Sequence, residues 1–350
     1  MTIRLCNRDE DFDAWDEFLV RCPNGHFLQL HGWLSSFESM GFECEVMVQS
    51  DGGRIVGGAA FLSTKVPLLP ARIFLMPHGP VCEDPDGPAW NELTEALDAH
   101  FRERGALYVQ AWPQLEVDDE VGLERYRRAG YRGPQLLHVQ EFIATRLAID
   151  LAGRSEEEIL APARRETRRY CRKSQRTGLE LRLGTTHADL VESHQVWKEN
   201  AEHHGYAVRP FASCEIVMDR LVNKGKGLLI QAWKDDDLAG SMMVLFAGGV
   251  ASYAVAAGTR RALSSCYPAE FMHLAAIRVA KERGMAMYDL NDWGAKGIAQ
   301  FKRGFRPKVC AWAEPITKVY RPMPTRLITW GDSHLRLLLR KLAARRHRGR

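Results

Sequence analysis

Polar and basic residues crowd a short stretch near the C-terminal end of the sequence. Asp289 lies at the end of an apolar segment, a glycine-rich run follows, and Lys302, Arg303 and Arg306 come next. In open α/β sheets, ligands bind beyond the carboxyl ends of strands, where side chains from neighbouring loops meet. This stretch is therefore the first candidate for an active site, and an ordinary polar loop is the alternative.

Other common catalytic motifs do not occur in the sequence. It has no G-x-x-x-x-G-K-[ST] phosphate loop, no G-x-G-x-x-G after a strand and no G-x-S-x-G turn. The histidines at 187, 194, 203 and 204 lack the i, i+4 spacing of a metal-binding pair. The eight cysteines contain no C-x-x-C pair, which favours reduced, mostly buried thiols. We therefore expect neither a metal nor another cofactor.

The sequence pattern that predicts the fold around these residues occurs twice in the chain. Apolar runs around a Gly- or Asp-rich turn predict one hairpin at 44–62 and a second at 228–246. Each hairpin is followed by a helix. The helix begins with proline, at Pro88 or Pro268, and ends at Glu-Arg-Gly. A strand comes after each helix, so one offset of about 180 residues relates the two copies and indicates a duplicated α/β unit.

Length and composition agree with two domains. The chain has 350 residues, 45% of them hydrophobic and 26% charged, which is enough to bury a core in each domain. Ser155 and Glu158 form a capping-box pattern that begins a new helix after an apolar strand. We therefore predict an α/β fold with one lobe at 1–150, a second at 151–320, and a basic segment at 321–350.

Basic residues are concentrated in two places, although the net charge is only +4. The segment 164–176 holds seven Lys or Arg and one acid, and 334–350 holds seven and no acid. Such clusters favour polyanions, and a solvated surface is the alternative. The apolar and basic pattern at 335–342 also predicts contact with a membrane surface. The sequence begins without a secretory signal, so we expect a cytoplasmic protein.

The stretch from Tyr288 to Phe305 resembles the closing motif of the Fem-type (FemABX) aminoacyltransferases, through Tyr-Asp-Leu, a glycine loop and Phe-Lys-Arg-Gly-Phe. Four further segments resemble family motifs in the same order. They are the entry segment 27–33, the P-x-G-P-V-like loop 76–81, the basic helix 168–178, and the strand 253–258 with Pro268 after it.

The resemblance implies two lobes with the fold of GNAT (acyl-CoA N-acyltransferase-like) enzymes and mixed central sheets. Fem-type proteins transfer an amino acid from an aminoacyl-tRNA ester to an amine, usually on a peptidoglycan precursor. The ester is already activated, so such an enzyme must place a neutral amine and stabilise the oxyanion. The resemblance assigns the oxyanion to Lys302, with Phe301 beside it, and adds Asp289 to the catalytic group.

Two further groups of residues are predicted to bind the substrates. The expected substrate contacts are Trp33, His78, Tyr206, Arg209, Tyr253, Asn291, Asp292 and Trp293. Helical spacing places 164, 168 and 172 in one stripe and 165, 169 and 173 in the next. Phosphates of the tRNA are therefore assigned to Arg164, Arg165, Arg168, Arg169, Arg172, Lys173, Arg303 and Arg306.

Several alternatives stay open at this point. Family members that act on peptidoglycan often carry Asp-Pro where this chain has Trp112-Pro113, so the acceptor is either a peptidoglycan precursor or another amine, such as an amino-containing natural product. A CoA-dependent N-acyltransferase is the nearest rival, although 258–265 lacks the internal glycines of a pyrophosphate loop. A non-catalytic protein that binds RNA or a membrane surface is the third reading. The sequence identifies neither the amino acid nor the acceptor.

Overall fold

The computed structural model describes residues 1–67, 69–139, 145–292 and 296–326. Trp293 and the basic tail from 327 onward lie outside the described residues. Two mixed seven-stranded sheets, each with helices packed against it, form the described part of the chain. The predicted α/β fold with two GNAT-like lobes is confirmed.

The first lobe begins with a strand and a helix and then builds a meander. In chain order its elements are β1 (Thr2–Leu5), α1 (Asp9–Arg21), α2 (His31–Leu34), β2 (Glu43–Asp51), β3 (Arg54–Lys65), β4 (Arg72–Pro77), β5 (Val81–Cys82), α3 (Pro88–Glu103), β6 (Ala106–Trp112) and α4 (Glu120–Arg128).

The second lobe repeats this plan with additional short helices. Its elements are β7 (Thr145–Asp150), α5 (Glu156–Leu160), α6 (Arg165–Ser174), β8 (Glu180–Gly184), α7 (His187–His204), α8 (Phe211–Val217), β9 (Gly227–Lys234), β10 (Asp237–Ala247), β11 (Val250–Gly258), α9 (Arg260–Ser265), α10 (Pro268–Glu282), β12 (Met287–Asp289), α11 (Lys296–Gly304) and β13 (Lys308–Ala311). The chain then returns to the first lobe as β14 (Ile316–Val319).

The duplicated unit has the same topology in both lobes. In the first lobe β4 leads into α3 and pairs in parallel with β6, and in the second β11 leads into α10 and pairs in parallel with β12. Both helices have proline in their first turn. Gly105 and Gly284 follow the two helices at φ angles of +72° and +71°, a conformation that glycine adopts without strain.

Strand exchange divides the chain differently from the predicted boundary at residue 150. The first sheet has the order β1-β2-β3-β4-β6-β14, with β5 paired to β3, and the second has the order β13-β7-β12-β11-β10-β9-β8. Residues 145–150 therefore lie in the second sheet, and residues 316–319 lie in the first. The chain after β14 stays on the first lobe, where the Tyr320 hydroxyl donates to Asp98 at 2.7 Å.

One hydrophobic core crosses the junction between the lobes. It includes Trp15 and Leu34 of the first lobe together with Trp197 and Leu221 of the second. The Lys224 ammonium also reaches a carboxylate oxygen of Asp13, across the same junction, at 2.6 Å. Packing of this kind holds the two lobes in one relative orientation. None of the helices in the described ranges is both long enough and apolar enough to span a bilayer.

Candidate active site between the lobes

A cavity of about 330 Å³ lies between the two lobes. This volume is within the range of small-molecule sites, which are concave, mainly apolar and equipped with a few polar groups. The first lobe contributes Phe27, Trp33 and Met40. The second contributes Trp197, the segment 206–210, Cys214, Val217, Met243, the segment 253–256, Asn291 and Ile298.

The wall of the cavity is formed where two parallel strands separate. Strand β11 pairs with β12 only over three residues, which end at Ser252 and Asp289. Beyond that point β12 stops, while β11 continues to Gly258. A β-bulge between β10 and β11 at the same level changes the register beside Tyr253. Bulges redirect side chains next to binding sites, and here the redirected residues 253–256 line the cavity.

Asn291 connects the end of β12 to the cavity. Its backbone is left-handed, with φ of +51°, which asparagine tolerates better than most residues. This conformation lets its N–H donate to Asp289 Oδ1 at 2.8 Å while its carbonyl accepts from Lys302 Nζ at 2.9 Å. Its side-chain amide donates to the carbonyl of Tyr253. One residue thus joins the two strands and the lysine.

Lys302 lies one layer behind the cavity wall. Its side chain is 1% exposed, and its ammonium is 4.3 Å from the centre of the Tyr253 ring. Burial lowers the pKa of Lys302 to about 7, although the charges of Asp289 and Asp292 oppose this effect. The ammonium therefore contacts two cavity-lining residues, Tyr253 and Asn291, without itself belonging to the described lining.

Asp289 is a buried carboxylate that holds the backbone. Its Oδ1 atom accepts hydrogen bonds from the N–H groups of Leu147 and Asn291, at 3.1 and 2.8 Å. Its Oδ2 atom lies 3.4 Å from Arg146 Nε. Burial raises the pKa of Asp289, and the charge of Arg146 and the two backbone N–H groups act against that rise. The geometry gives Asp289 the role of fixing the strand ends and balancing the charge of Lys302.

Aromatic rings surround the lysine. His273 Nδ1 is 2.7 Å from the hydroxyl of Tyr288, and its ring centre lies 5.7 Å from that of Tyr253 and 5.4 Å from that of Phe301. Burial and the nearby Lys302 lower the pKa of His273 to about 3, so this imidazole is neutral. The rings of Tyr253 and Phe301 thus both pack near His273, and the Tyr253 ring also contacts the Lys302 ammonium.

Polar groups of three predicted substrate contacts, Trp33, Tyr206 and Arg209, also line the cavity. The guanidinium of Arg209 stacks 4.0 Å from the Trp33 ring centre, and it also donates to Ser36 and Ser213. Trp33 Nε1 is buried and has no hydrogen-bond partner among the described residues. The Tyr206 hydroxyl accepts from the amide of Asn200 at 2.6 Å. Among the described residues of the lining, Arg209 is the only charged one.

The remaining predicted contacts are not part of the described lining. His78 is buried, with its ring centre 4.1 Å from that of His26, and burial lowers its pKa to about 3. The Asp292 carboxylate forms an ion pair with the Arg303 guanidinium, with Oδ2 and Nη2 2.7 Å apart. Arg306, which was predicted to bind phosphates of the tRNA, is exposed, with φ of +51°. In total, five of the eight predicted substrate contacts line the cavity: Trp33, Tyr206, Arg209, Tyr253 and Asn291.

Helix α6 carries the predicted phosphate-binding cations on the surface. Arg164, Arg165, Arg169, Arg172 and Lys173 are exposed. Arg168 is half-buried, and its guanidinium donates to the carbonyls of Ala161 and Ala163. Arg168 therefore stabilises the turn before the helix, while the other five cations face solvent. The backbone N–H of Arg164 donates to Gly304 at 2.8 Å, so α6 begins beside the end of α11.

Sequence reasoning did not identify most of the apolar lining. Trp197 and Val217 lie in helices whose apolar residues match the pattern of core packing, and Ile298 lies in the first turn of α11. Arg146 and His273 were also missed, because their importance depends on neighbours that are distant in sequence. The segment 27–33, which resembles the entry segment of the family, was a signal for part of the apolar lining. Phe27 and Trp33 of this segment both line the cavity.

The start of α10 differs from a pyrophosphate-binding site. Acetyl-CoA enzymes of this fold bind phosphates through free backbone N–H groups of a glycine-rich loop and helix N-terminus. Here Pro268 removes one N–H, the short helix α9 occupies the approach, and the buried carboxyl of Glu270 lies in the first turn. These features disfavour the CoA-dependent alternative at this position.

Comparisons with known proteins agree with the two halves of the fold. A model of the FemAB family matches residues 10–124, and a model of an acetyltransferase (GNAT) domain matches residues 161–303. The lipid II:glycine glycyltransferase of Staphylococcus haemolyticus (strain JCSC1435) is 24% identical over 214 residues, which cover 60% of this chain and 51% of that protein. The chain thus spans about half the length of the curated relatives it matches.

Solved structures share the complete arrangement of two lobes. A crystal structure of FemX matches with a TM-score of 0.81 and 17% identity, over 94% of this chain and 100% of that one. The C-terminal domain (DUF2156) of a putative lysylphosphatidylglycerol synthetase from Agrobacterium fabrum matches with a TM-score of 0.59 and 15% identity, over 92% and 96%. At such identities the likeness establishes the fold.

Proposed function

The chain belongs to the Fem-type (FemABX) family, and from this premise we propose that it is an acyltransferase that joins an amino acid to an amine. The donor in this proposal is an aminoacyl-tRNA, and the reaction takes place in the cytoplasm, where charged tRNA is made. The acceptor is the free amine of a peptidoglycan precursor. A relative that is named for glycine transfer to lipid II supports this choice of acceptor.

The proposed step needs no cofactor. The neutral amine of the acceptor attacks the ester carbonyl of the donor, a C–N bond forms, and the C–O bond to the ribose breaks. The proton that the amine loses ends on the ribose oxygen that leaves. Because the ester is already activated, the protein contributes position and electrostatic stabilisation of the oxyanion. A cavity shared by two lobes suits a reaction that brings two substrates together.

One observation carries the proposal: a buried ammonium lies against the cavity wall and not in bulk solvent. Lys302 Nζ is 2.9 Å from the carbonyl of Asn291 and 4.3 Å from the Tyr253 ring, and both residues line the cavity. A charge in a site that excludes water acts more strongly on a developing oxyanion than the same charge in water. In this proposal a small shift of the Asn291 loop brings the ammonium to the reacting carbonyl.

The acceptor is proposed to enter on the side of Arg209. This cation is ordered by Trp33, Ser36 and Ser213, and it suits an anionic group on the acceptor, such as a phosphate or a carboxylate. The apolar remainder of the lining holds the rest of the acceptor in place. Arg209→Lys keeps the charge and loses the planar fork, so it separates charge from geometry.

Product analysis tests the proposed function. The purified chain is incubated with a panel of charged tRNAs and candidate amines, namely a peptidoglycan precursor and amino-containing small molecules, and the products are identified by mass spectrometry. We expect a new amide whose mass equals acceptor plus amino acid minus water, formed only with charged tRNA. Formation of the amide from an acyl-CoA, with none from charged tRNA, would contradict the proposal.

A further inference from the structure

Two tyrosines stack on the surface of the second lobe. Tyr170 of α6 and Tyr267 at the start of α10 have ring centres 4.8 Å apart and ring planes 18° apart. Both side chains are half-buried, so part of each ring faces solvent. Tyr267 has a left-handed backbone with φ of +57°, a conformation that is strained for a non-glycine residue. The fold thus holds this ring in place despite local strain.

Cations surround the tyrosine pair. Lys173 Nζ is 3.0 Å from the hydroxyl of Tyr267 and 4.9 Å from its ring centre, and the guanidinium carbon of Arg169 is 4.8 Å from the ring centre of Tyr170. Arg172 is exposed on the same helix. Within the described ranges, no carboxylate lies within ion-pair distance of any basic residue from 164 to 176. These charges are therefore available to a polyanion.

The tyrosine pair is connected to the cavity through β11. Residues 253–256 of this strand line the cavity, and the chain passes from the end of β11 through α9 to Tyr267. Helix α6, which carries Tyr170, starts beside the end of α11, the helix of Lys302. The pair and the cavity are thus linked through both β11 and α11.

Stacked aromatic rings beside cations that contact no described carboxylate have the chemistry of a site for single-stranded nucleic acid. Bases stack on aromatic rings and guanidinium planes, while Lys and Arg contact the phosphates. A membrane surface would instead favour an apolar face with cations around it. We propose that Tyr170 and Tyr267, with Arg169 and Lys173, bind an unpaired nucleotide of the donor RNA and guide its charged end towards the cavity. This inference rests on the proposed function.

Binding of a short, fluorescently labelled single-stranded RNA tests the inference without any transfer assay. Stacking contributes about 1–3 kcal/mol per base, so Tyr170→Ala is expected to weaken binding about tenfold with an unchanged salt dependence. Tyr170→Phe keeps the ring and binds like the wild type. Arg169→Ala lowers the slope of log affinity against log salt by about one. Arg182→Ala is the matched control, because Arg182 lies 4.6 Å from the Trp233 ring centre at a different site, and it changes neither quantity.

Several results would overturn the inference. These are an affinity of Tyr170→Ala equal to that of the wild type, an equal loss in Tyr170→Phe, or a loss confined to binding of anionic phospholipid vesicles. Thermal unfolding confirms that each variant is folded. Transfer by the same wild-type preparation is measured separately, with each charged tRNA. If Tyr170→Ala binds RNA as tightly as the wild type while the wild type transfers, the tyrosine site is refuted and the proposed function stands. If the wild type binds RNA but transfers from no charged tRNA, the proposed function is contradicted.

Discussion

Lys302 has a pKa of about 7 because burial opposes its charge while Asp289 and Asp292 favour it. Its ammonium lies 4.3 Å from the centre of the Tyr253 ring, and the ring of His273 packs between those of Tyr253 and Phe301. An oxyanion that forms near this ammonium would add a further negative charge, which raises the pKa during the reaction. The charge of Lys302 therefore depends on its surroundings near neutral pH.

The pH dependence of transfer follows from this pKa. If the charged form stabilises the oxyanion, activity that depends on Lys302 decreases as the pH rises through about 7. Lys302→Arg stays charged throughout. The ratio of the wild-type rate to the Lys302→Arg rate should therefore fall between about pH 6 and pH 8, while ionisation of the acceptor amine cancels in the ratio. A ratio that is constant or rises with pH would contradict the cationic role.

The same pKa predicts how stability depends on pH. The unfolded lysine has a pKa of 10.5 and the folded one about 7, so between these values the unfolded state binds more protons and stability increases with pH. The difference in free energy of unfolding between wild type and Lys302→Met should therefore change in favour of the wild type from pH 7 towards 10.5. Urea unfolding at several pH values measures it, and a pH-independent difference would show that the pKa is not lowered.

The residues of the site were predictable to different degrees. Trp33, Tyr253 and Asn291 lie in segments that resemble family motifs, and they line the cavity together with Arg209, which lies outside those segments. The motifs carry no information about depth, so they could not show that Lys302 is buried behind the wall or that Asp289 binds backbone N–H groups. Depth depends on packing between strands that are far apart in sequence.

The turn after β12 is the element that places the lysine. Asn291 forms hydrogen bonds with Asp289, Lys302 and Tyr253 at the same time, and its left-handed backbone makes this possible. The strand predicted after the second proline-initiated helix is β12, which covers only Met287–Asp289. It is short because Leu290 and Asn291 leave the ladder, so that β11 and β12 separate around the cavity.

Two substitutions separate the backbone and side-chain contributions of Asn291. Asn291→Gly loses the side-chain hydrogen bond but adopts φ of +51° freely. Asn291→Ala loses the same bond and adds left-handed strain of roughly 1 kcal/mol. The expected order of free energies of unfolding is wild type, then Gly, then Ala, with a total loss of about 2 kcal/mol. Chemical denaturation measures this order, and equal stability of the two variants would argue against a strained turn.

Regular elements were predicted well because their signals are local. Both hairpins, both proline-initiated helices and the capping box at Ser155 occur where the sequence places them. The exchange of β7 and β14 between lobes was not predictable, because long-range pairing of two short strands leaves no local pattern. The boundary at residue 150 was predicted from the capping box that follows an apolar strand. That pattern marks the end of β7, whereas the chain crosses between the sheets elsewhere.

The whole molecule functions as one body because its two lobes share a core. Glycines permit the closest approach at this junction. Gly248 donates its N–H to Leu19 of the first lobe at 3.0 Å, and a Cβ atom at Gly248 would lie 2.1 Å from the carbonyl oxygen of Gly25. The neighbouring Gly249 has a similar positive φ, and a Cβ atom there would meet nothing within 4 Å.

These two glycines form a matched pair for testing the junction. Gly248→Ala and Gly249→Ala both add left-handed strain of roughly 1 kcal/mol, but only Gly248→Ala forces the lobes apart. We expect Gly248→Ala to lower the free energy of unfolding by at least about 2 kcal/mol more than Gly249→Ala, and to reduce transfer. Thermal unfolding and product formation measure the two effects. Equal stability of the variants would mean that the junction tolerates displacement.

The central claim is that the buried ammonium of Lys302 stabilises the oxyanion, and single-turnover transfer with Lys302→Met tests it most directly. Methionine is close in volume, unfolding confirms the fold, and Lys308→Ala on exposed β13 is the control. Loss of an oxyanion-stabilising group typically slows the chemical step about 100- to 1,000-fold. We predict a loss of that size in Lys302→Met and none in Lys308→Ala. A folded Lys302→Met protein that transfers at the wild-type rate would contradict the account.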